Sequence, residues 1–284
     1  MKNEWEAAEI YMYEIKNLSH VSYEELADTH NLVFSDYVIP MYITPEQIEA
    51  YFKVSGVDYS CSFGGFYKGK LIGFLANAVD IYNGKPAAWD AMTGIAKEHR
   101  GKGLFSKLFE HTRQCLAGND IKSYYLDVIT TNENACSVYQ KKGAKIVREF
   151  AFFTGSVISE QSVLLQEGVI KMSPLSASSS VEISTYQPSF GNRISALCRD
   201  ADHYLIAECG NTSIMISRQG RISQIRYNDQ GDQGDLYKIL KQLFQEFVHL
   251  DISNIPITEH ALIHALLDFG LTIKVKQYEM CIDL

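Results

Sequence analysis

The stretch that most constrains this chain runs from Trp89 to Tyr139. There an apolar run, WDAMTGIA, leads into Arg100-Gly101-Lys102-Gly103-Leu104-Phe105 and then into a segment of helical periodicity. Such a pattern is a strand, a tight glycine turn and a helix N-terminus. The first N–H groups of a helix have no intrahelical partner and stand at the positive end of its dipole. Bare Gly101 and Gly103 let an anionic group approach the main chain, so the amides of residues 101 to 106 form a seat that suits a phosphate. Glycine and basic residues before a helix also occur as an ordinary connection, and the loop alone does not decide between the two.

A second motif follows. Asn132-x-x-Ala135-x-x-x-Tyr139 stands on an expected helix directly after a strand, and Lys141-Lys142-Gly143 closes it. Together the two motifs resemble the GCN5-related N-acetyltransferase (GNAT) superfamily. Its pyrophosphate loop reads Gln/Arg-x-x-Gly-x-Gly/Ala, and its next helix carries Asn-x-x-Ala-x-x-x-Tyr. Arg100 and Gly103 match the loop, whereas Phe105 departs from it at the final Gly/Ala, where a backbone amide still serves. The resemblance is strong over residues 60 to 155 and weaker before them.

Element signals around the motifs follow one order. Residues 9 to 15 alternate as a first strand. Ser22 with Glu25 opens a helix toward Val33, and Thr44-Pro45 opens another. Strands are expected at 60–67, 71–82 and 87–96, the last two joined by Asn83-Gly84, a strong hairpin signal. A helix at 104–117, a strand at 123–130, a helix at 132–142 and a strand at 144–154 complete the series. The resemblance implies that this order is the GNAT fold, an α/β (α+β) arrangement with a mixed central sheet flanked by helices, filling residues 1–155.

Residues 156–180 are expected to hold an extra strand, near 162–172, and a linker, SPLSASSS. Beyond Val181 the signals are a hairpin over YLIAECGNTSIMIS, a turn at Gln219-Gly220-Arg221, helices near 236–248 and 258–269, and a last strand. The segment from His249 to Met280 lays over that from Tyr125 to Phe153 when Gly270 is set on Gly143, with Leu266 where Tyr139 stands. Residues 181–284 are therefore expected to form a second, smaller, degenerate GNAT-like domain. Asp229, Asp232 and Asp235 precede its helix and would repel a pyrophosphate, so a second coenzyme site is not expected there.

The resemblance also implies a set of roles. Acetyl-CoA is the co-substrate and no metal is needed. Main-chain groups of Thr93, Gly94 and Ile95 pair with the pantetheine arm. Amides of Gly101, Lys102, Gly103, Leu104, Phe105 and Ser106 take the pyrophosphate, with the Arg100 and Lys102 side chains adding charge, and Asn132 binds the pantetheine or a nearby water. Tyr139 matches the general acid, since a phenol of ordinary pKa, about 10, is protonated at neutral pH and can donate to a departing thiolate. Asp127 or Asp90 is a possible base, and a water chain is as good a candidate. The acceptor cleft falls on Phe34, Asp36, Tyr37, Met41 and Tyr42, with Phe150 and Phe152 or Phe153 opposite. His99, before the loop, reads as a loop side chain rather than a catalyst, and Cys136 as a packing residue rather than a nucleophile.

Composition narrows the partners. Across 284 residues the formal charge is -8, which argues against a nucleic-acid surface as the main function. Six widely spaced cysteines, without a C-x-x-C pair, point to neither a zinc site nor a disulfide framework. The polar, acidic N-terminus lacks the apolar core of a signal peptide, and no long apolar run suggests a membrane span. The reading is a cytoplasmic, acetyl-CoA-dependent N-acetyltransferase, monomer or homodimer, that moves an acetyl group to a primary amine of a small molecule by direct attack in a ternary complex. An acyl-CoA-binding regulatory module without turnover, and a GNAT transferase using another acyl donor or acceptor, stay open as alternatives.

Overall fold

The computed structural model describes residues 13–36, 41–156, 170–227 and 233–284. They fall into two compact units. The first takes the chain up to Leu126 together with Lys141–Ala144 and Cys281–Leu284, and the second takes Asp127–Gln140 and Lys145–Met280.

In the first unit β1 (Tyr13–Asn17), β2 (Phe63–Tyr67), β3 (Lys70–Tyr82) and β4 (Lys85–Ile95) pair antiparallel in that order, and β5 (Ser123–Ile129) pairs parallel to β4. Two helices separate β1 from β2. α1 (Tyr23–Val33) opens on Ser22, whose hydroxyl accepts from the Glu25 N–H, and α2 (Pro45–Ser55) opens on a reciprocal capping box between Thr44 and Gln47. Each cap contributes about 1 kcal/mol by satisfying N–H groups that the helix cannot. Leu26 and Ala27 of α1 and Ile48 and Phe52 of α2 pack with Phe66, Leu71 and Phe74 of the sheet. α3 (Leu104–Gly118) crosses from β4 to β5 and seats Leu104 and Leu108 with Tyr13, Phe63 and Ile72.

The parallel pair is short, and this prepares the site. Only Ala88 and Trp89 of β4 are registered with β5, on Tyr124 and Tyr125. β4 runs on to Ile95 with β3 as its registered partner, and a shift in register at Ala76/Asn77 leaves Ala91 as an extra, bulged residue.

In the second unit the strand order is β12 (Thr272–Asp283), β6 (Lys145–Ser156), β11 (His249–Pro256), β10 (Arg221–Arg226), β9 (Thr212–Ser217), β8 (Tyr204–Cys209) and β7 (Lys171–Pro174). Its helices are α4 (Glu133–Gln140), the short α5 (Ile194–Leu197), α6 (Gln233–Glu246) and α7 (His260–Asp268). Leu236, Ile239, Leu240 and Leu243 of α6 and Leu262, Ala265 and Leu266 of α7 pack with Ile214, Ile225, Ile252 and Phe153 in a continuous core.

The mixed α/β fold is the one the sequence indicated, and the element order repeats. β1 to β4, α3, β5, α4 and β6 have counterparts in β7 to β10, α6, β11, α7 and β12, and in both series a helix crossover joins a parallel pair. The register that sets Gly143 on Gly270 lays the two ends of β6, Lys145 and Ser156, on the two ends of β12, Thr272 and Asp283. Both glycines have positive φ, 95° and 103°.

Some details differ from expectation. β7 runs through Ser173 and Pro174, and Leu175 after it is buried, so the start of the small, polar stretch at 173–180 is built into the sheet. Residues 162–169 of the expected extra strand, residues 9–12 of the expected first strand, and Asp229 and Asp232 lie outside the described residues. α6 begins at Gln233, ahead of Leu236, and β10 was signalled only by its preceding turn.

Candidate functional site

Thr93, Gly94 and Ile95 form the last residues of β4, beyond its register with β5. One turn of 3-10 helix, Lys97–His99, then leads into the glycine loop. His99 anchors this turn: its Nδ1 lies 3.0 Å from the Tyr13 hydroxyl, and its ring packs on Tyr13 and Tyr67. Gly101 and Gly103 take φ of 73° and 81°, a region open to glycine and strained for other residues. Gly103 is the N-cap of α3 and no side chain caps that helix. A Cβ added at Gly101 would meet nothing within 4 Å. A main-chain seat at a helix N-terminus with open space before it fits an anionic phosphate. Phe105 stacks along the helix on Phe109, with ring centroids 5.8 Å apart, which explains how a large residue is held at a position where the loop pattern has a small one.

The Arg100 side chain is held by three neighbours. Its Nε donates to the Ile95 carbonyl at 2.8 Å, Nη2 to the Val33 carbonyl at 2.7 Å, and Nη1 and Nη2 form a fork on the Asp36 carboxylate at 2.9 Å each. The guanidinium ties the end of α1 to the end of β4. Asp36 is likewise engaged: the Arg100 hydrogen bond holds its carboxyl below the usual range, with Lys97 adding charge at 3.7 Å. It is therefore not a free anion waiting for a cationic acceptor.

Where α1 meets β4, side chains from the end of α1 pack directly on the bare Gly94 backbone. A Cβ on Gly94 would stand 2.1 Å from Val33 Cγ1 and 3.3 Å from the Phe34 ring. Phe34 is half-buried and lies against His30, ring centroids 4.6 Å apart. Met41 and Tyr42 are exposed, Tyr42 by 81%, and Tyr37 lies outside the described residues. Asp90 accepts from the Thr93 hydroxyl at 2.6 Å across the turn of the bulged strand, and the neighbouring Ala91 carbonyl accepts from Tyr51 of α2 at 2.7 Å.

One residue of this region escaped the sequence reading. His30 is buried, and its Nδ1 lies 3.3 Å from Asn31 Oδ1, an oxygen that also accepts from the Ile43 N–H. An amide oxygen only accepts, so Nδ1 carries the proton. Nε2 has no hydrogen-bond partner among the described residues. Burial lowers the pKa of this imidazole and keeps it neutral. The sequence announced the helix that carries His30, but not the loss of a partner for its ring.

The second unit holds the remaining candidates. Asn132 is the N-cap of α4, its Oδ1 accepting from the Ala135 N–H at 3.1 Å, so the helix starts one residue later than expected. Tyr139 is buried in the last turn of α4, and Asp127 on β5 is half-buried. Burial raises the pKa of the Cys136 thiol, which makes it a poor nucleophile. Two expected cleft residues prove to be core. Phe153 is fully buried among the α6 and β11 side chains, and Phe150 is fully buried with the Arg148 guanidinium 4.7 Å over its ring. That guanidinium is itself fixed by Glu279 and the Gln187 carbonyl, so it covers the Phe150 face as a lid of protein. Phe152 is half-buried.

Among the described residues, no group of three or more His, Cys, Asp or Glu side chains could hold a metal ion, and no helix is long and apolar enough to cross a membrane. No curated protein matches the chain in sequence. Solved structures do match it in fold along nearly its full length. A putative acetyltransferase from Pyrococcus horikoshii is 15% identical with a TM-score of 0.65, covering 96% of this chain and 90% of that one. A GCN5-related N-acetyltransferase from Sphaerobacter thermophilus is 10% identical with a TM-score of 0.66 and 96% coverage of both chains. A tandem GNAT protein from the clavulanic acid biosynthesis pathway is 11% identical with a TM-score of 0.65, covering 95% of this chain and 98% of that one. The model of the acetyltransferase (GNAT) family matches residues 23–144, a range that includes the capped helices, the β4–β5 parting, the glycine loop and Tyr139. Over residues 23–144, then, the chain is similar to the acetyltransferase (GNAT) family.

Proposed function

We propose that this chain is an N-acetyltransferase that takes acetyl-CoA at the Gly101–Ser106 loop and passes its acetyl group to the primary amine of a small molecule, by direct attack in a ternary complex. One observation carries the reading: the last residues of β4 run past its parallel partner into two positive-φ glycines and a helix with no side-chain cap. Amides at that helix start hold a pyrophosphate, and Lys102 adds charge. The Thr93–Ile95 main chain offers N–H and C=O groups to the pantetheine arm, an arm that acetyl-CoA supplies together with its thioester.

The remaining roles rest on the motifs. Tyr139 donates a proton to the leaving thiolate, while Asn132 both caps α4 and stands in the motif position for the pantetheine. Asp90 and Asp127 are the carboxylates proposed to take the amine proton, directly or through water. The Arg100–Asp36 pair serves the loop's position, and the acceptor's charge is not read from it.

A thiol-release assay with acetyl-CoA across a panel of primary amines tests this. Turnover on small amines that falls by about 10²-fold or more in Tyr139→Phe, with coenzyme affinity unchanged, is the predicted result. Coenzyme binding without release on any amine favours a regulatory module; an unchanged rate in Tyr139→Phe removes that residue from the mechanism.

A further inference from the structure

Cys61 and Cys115 stand outside the glycine loop and are used by nothing in the proposed reaction. Cys61 ends the 3-10 turn Tyr59–Cys61 that precedes β2, and Cys115 stands in the last turns of α3. Their sulfurs are 3.4 Å apart. The surroundings hold them there. The Asn119 amide, in the C-cap of α3, lies 3.8 Å from each sulfur, and its Nδ2 is fixed on the Cys115 carbonyl at 2.9 Å. Cys115 Sγ lies 3.3 Å from the Ser60 carbonyl, and the turn carrying Ser60 and Cys61 is held by Asp58, which accepts from the Ser60 N–H at 2.8 Å. A bond between the sulfurs needs an approach of about 1.4 Å, to the usual S–S length of about 2.05 Å.

We propose that Cys61 and Cys115 form an oxidisable dithiol, a modification site whose co-substrate is a peroxide. The two sulfurs have different roles. Cys115 is partly exposed, whereas Cys61 is buried and its pKa is pushed up to about 11, mainly by desolvation. The Cys115 thiolate attacks one peroxide oxygen; the O–O bond breaks, an S–O bond forms, and the other oxygen leaves as water after taking a proton. Cys61 sulfur then attacks Cys115 sulfur, the S–O bond breaks, and a second water leaves with the Cys61 proton. Two thiols are oxidised by two electrons and the peroxide is reduced to two waters. A thiol reductant reverses the change.

The link would close a long loop between the turn before β2 and the end of α3, the helix whose other end is the glycine loop. It would fasten that helix to a hydrogen-bonded hub, because the Cys61 carbonyl accepts from Asn77, whose side-chain oxygen accepts from the Tyr124 hydroxyl on β5. None of this depends on acetyl transfer.

The test uses the full chain exposed to dilute hydrogen peroxide, quenched, denatured and titrated for thiols, with peptide mapping of the product. The six thiols of the reduced chain should fall by two, with Cys61 and Cys115 in one cross-linked peptide and full recovery on adding a dithiol reductant. Cys61→Ser and Cys115→Ser should each abolish the cross-link, and the oxidised wild type should unfold at a higher temperature than either oxidised variant. A titre that stays at six, a Cys115 carried to sulfinic acid with Cys61 still a thiol, or a link between other cysteines overturns the proposal.

Discussion

Arg100 shows how one side chain can match a motif and still be occupied elsewhere. Its nitrogens reach Ile95, Val33 and the Asp36 carboxylate, whereas in the proposed reading Lys102 adds charge to the coenzyme seat. The two residues therefore separate by salt dependence. Lys102→Ala should weaken coenzyme binding most at low ionic strength and flatten its dependence on salt, because salt screens the attraction between a cation and the anionic coenzyme. Arg100→Lys should loosen the α1–β4 bracket and lower stability while leaving the salt dependence of coenzyme binding as it was; titrations at several salt concentrations distinguish the two. His30 makes a second claim at this scale. Its folded pKa lies below the ordinary value of about 6.5, so its stabilisation is complete above that pH. As the pH falls below it, the unfolded chain takes up a proton that the folded chain refuses, and stability is lost until the folded pKa is passed. Urea unfolding between pH 7 and 5 should show this loss reduced in His30→Phe, and an equal pH slope in the variant contradicts the assignment.

Among the elements, the contact of α1 with β4 is the tightest observed near the site. Gly94→Ala places a methyl where the Val33 side chain stands and forces that side chain or α1 to shift, a cost of about 1–3 kcal/mol, read as a lower denaturation midpoint. A Gly94→Ala chain as stable as the wild type means that α1 is not seated as described. The elements themselves were largely legible. Ser22 and Thr44 announced their helices through local hydrogen bonds, Asn83-Gly84 announced its hairpin, and the glycine loop marked the start of α3, because each signal lies within a few residues of what it determines. The cleft was less legible. Phe150 and Phe152 read alike as aromatic residues on a strand, and what separates them is Arg148 fixed by Glu279, a pairing between distant residues that no local pattern encodes. The Arg100–Asp36 fork failed to show in the sequence for the same reason.

For the whole molecule, the repeat raises the question of how many coenzyme sites the chain carries. In the second series the helix after the parallel strand, α6, has Asp235 in its first turn, paired with Lys238 at 2.9 Å and packed against the tight turn at Gly210. A carboxylate at that helix start opposes a second anion where the first series has bare glycine. Leu266 of α7, which replaces the phenol of Tyr139 in the repeat, is fully buried in the core and has no proton to give. The proposal is therefore one active set of residues and one silent repeat. Calorimetric titration of the full chain with acetyl-CoA tests this most directly, alongside Gly101→Val and Gly103→Val variants whose folding is checked by circular dichroism. One site per chain, lost in both folded variants, is the predicted result; no binding, two sites, or a site indifferent to both glycines contradicts it.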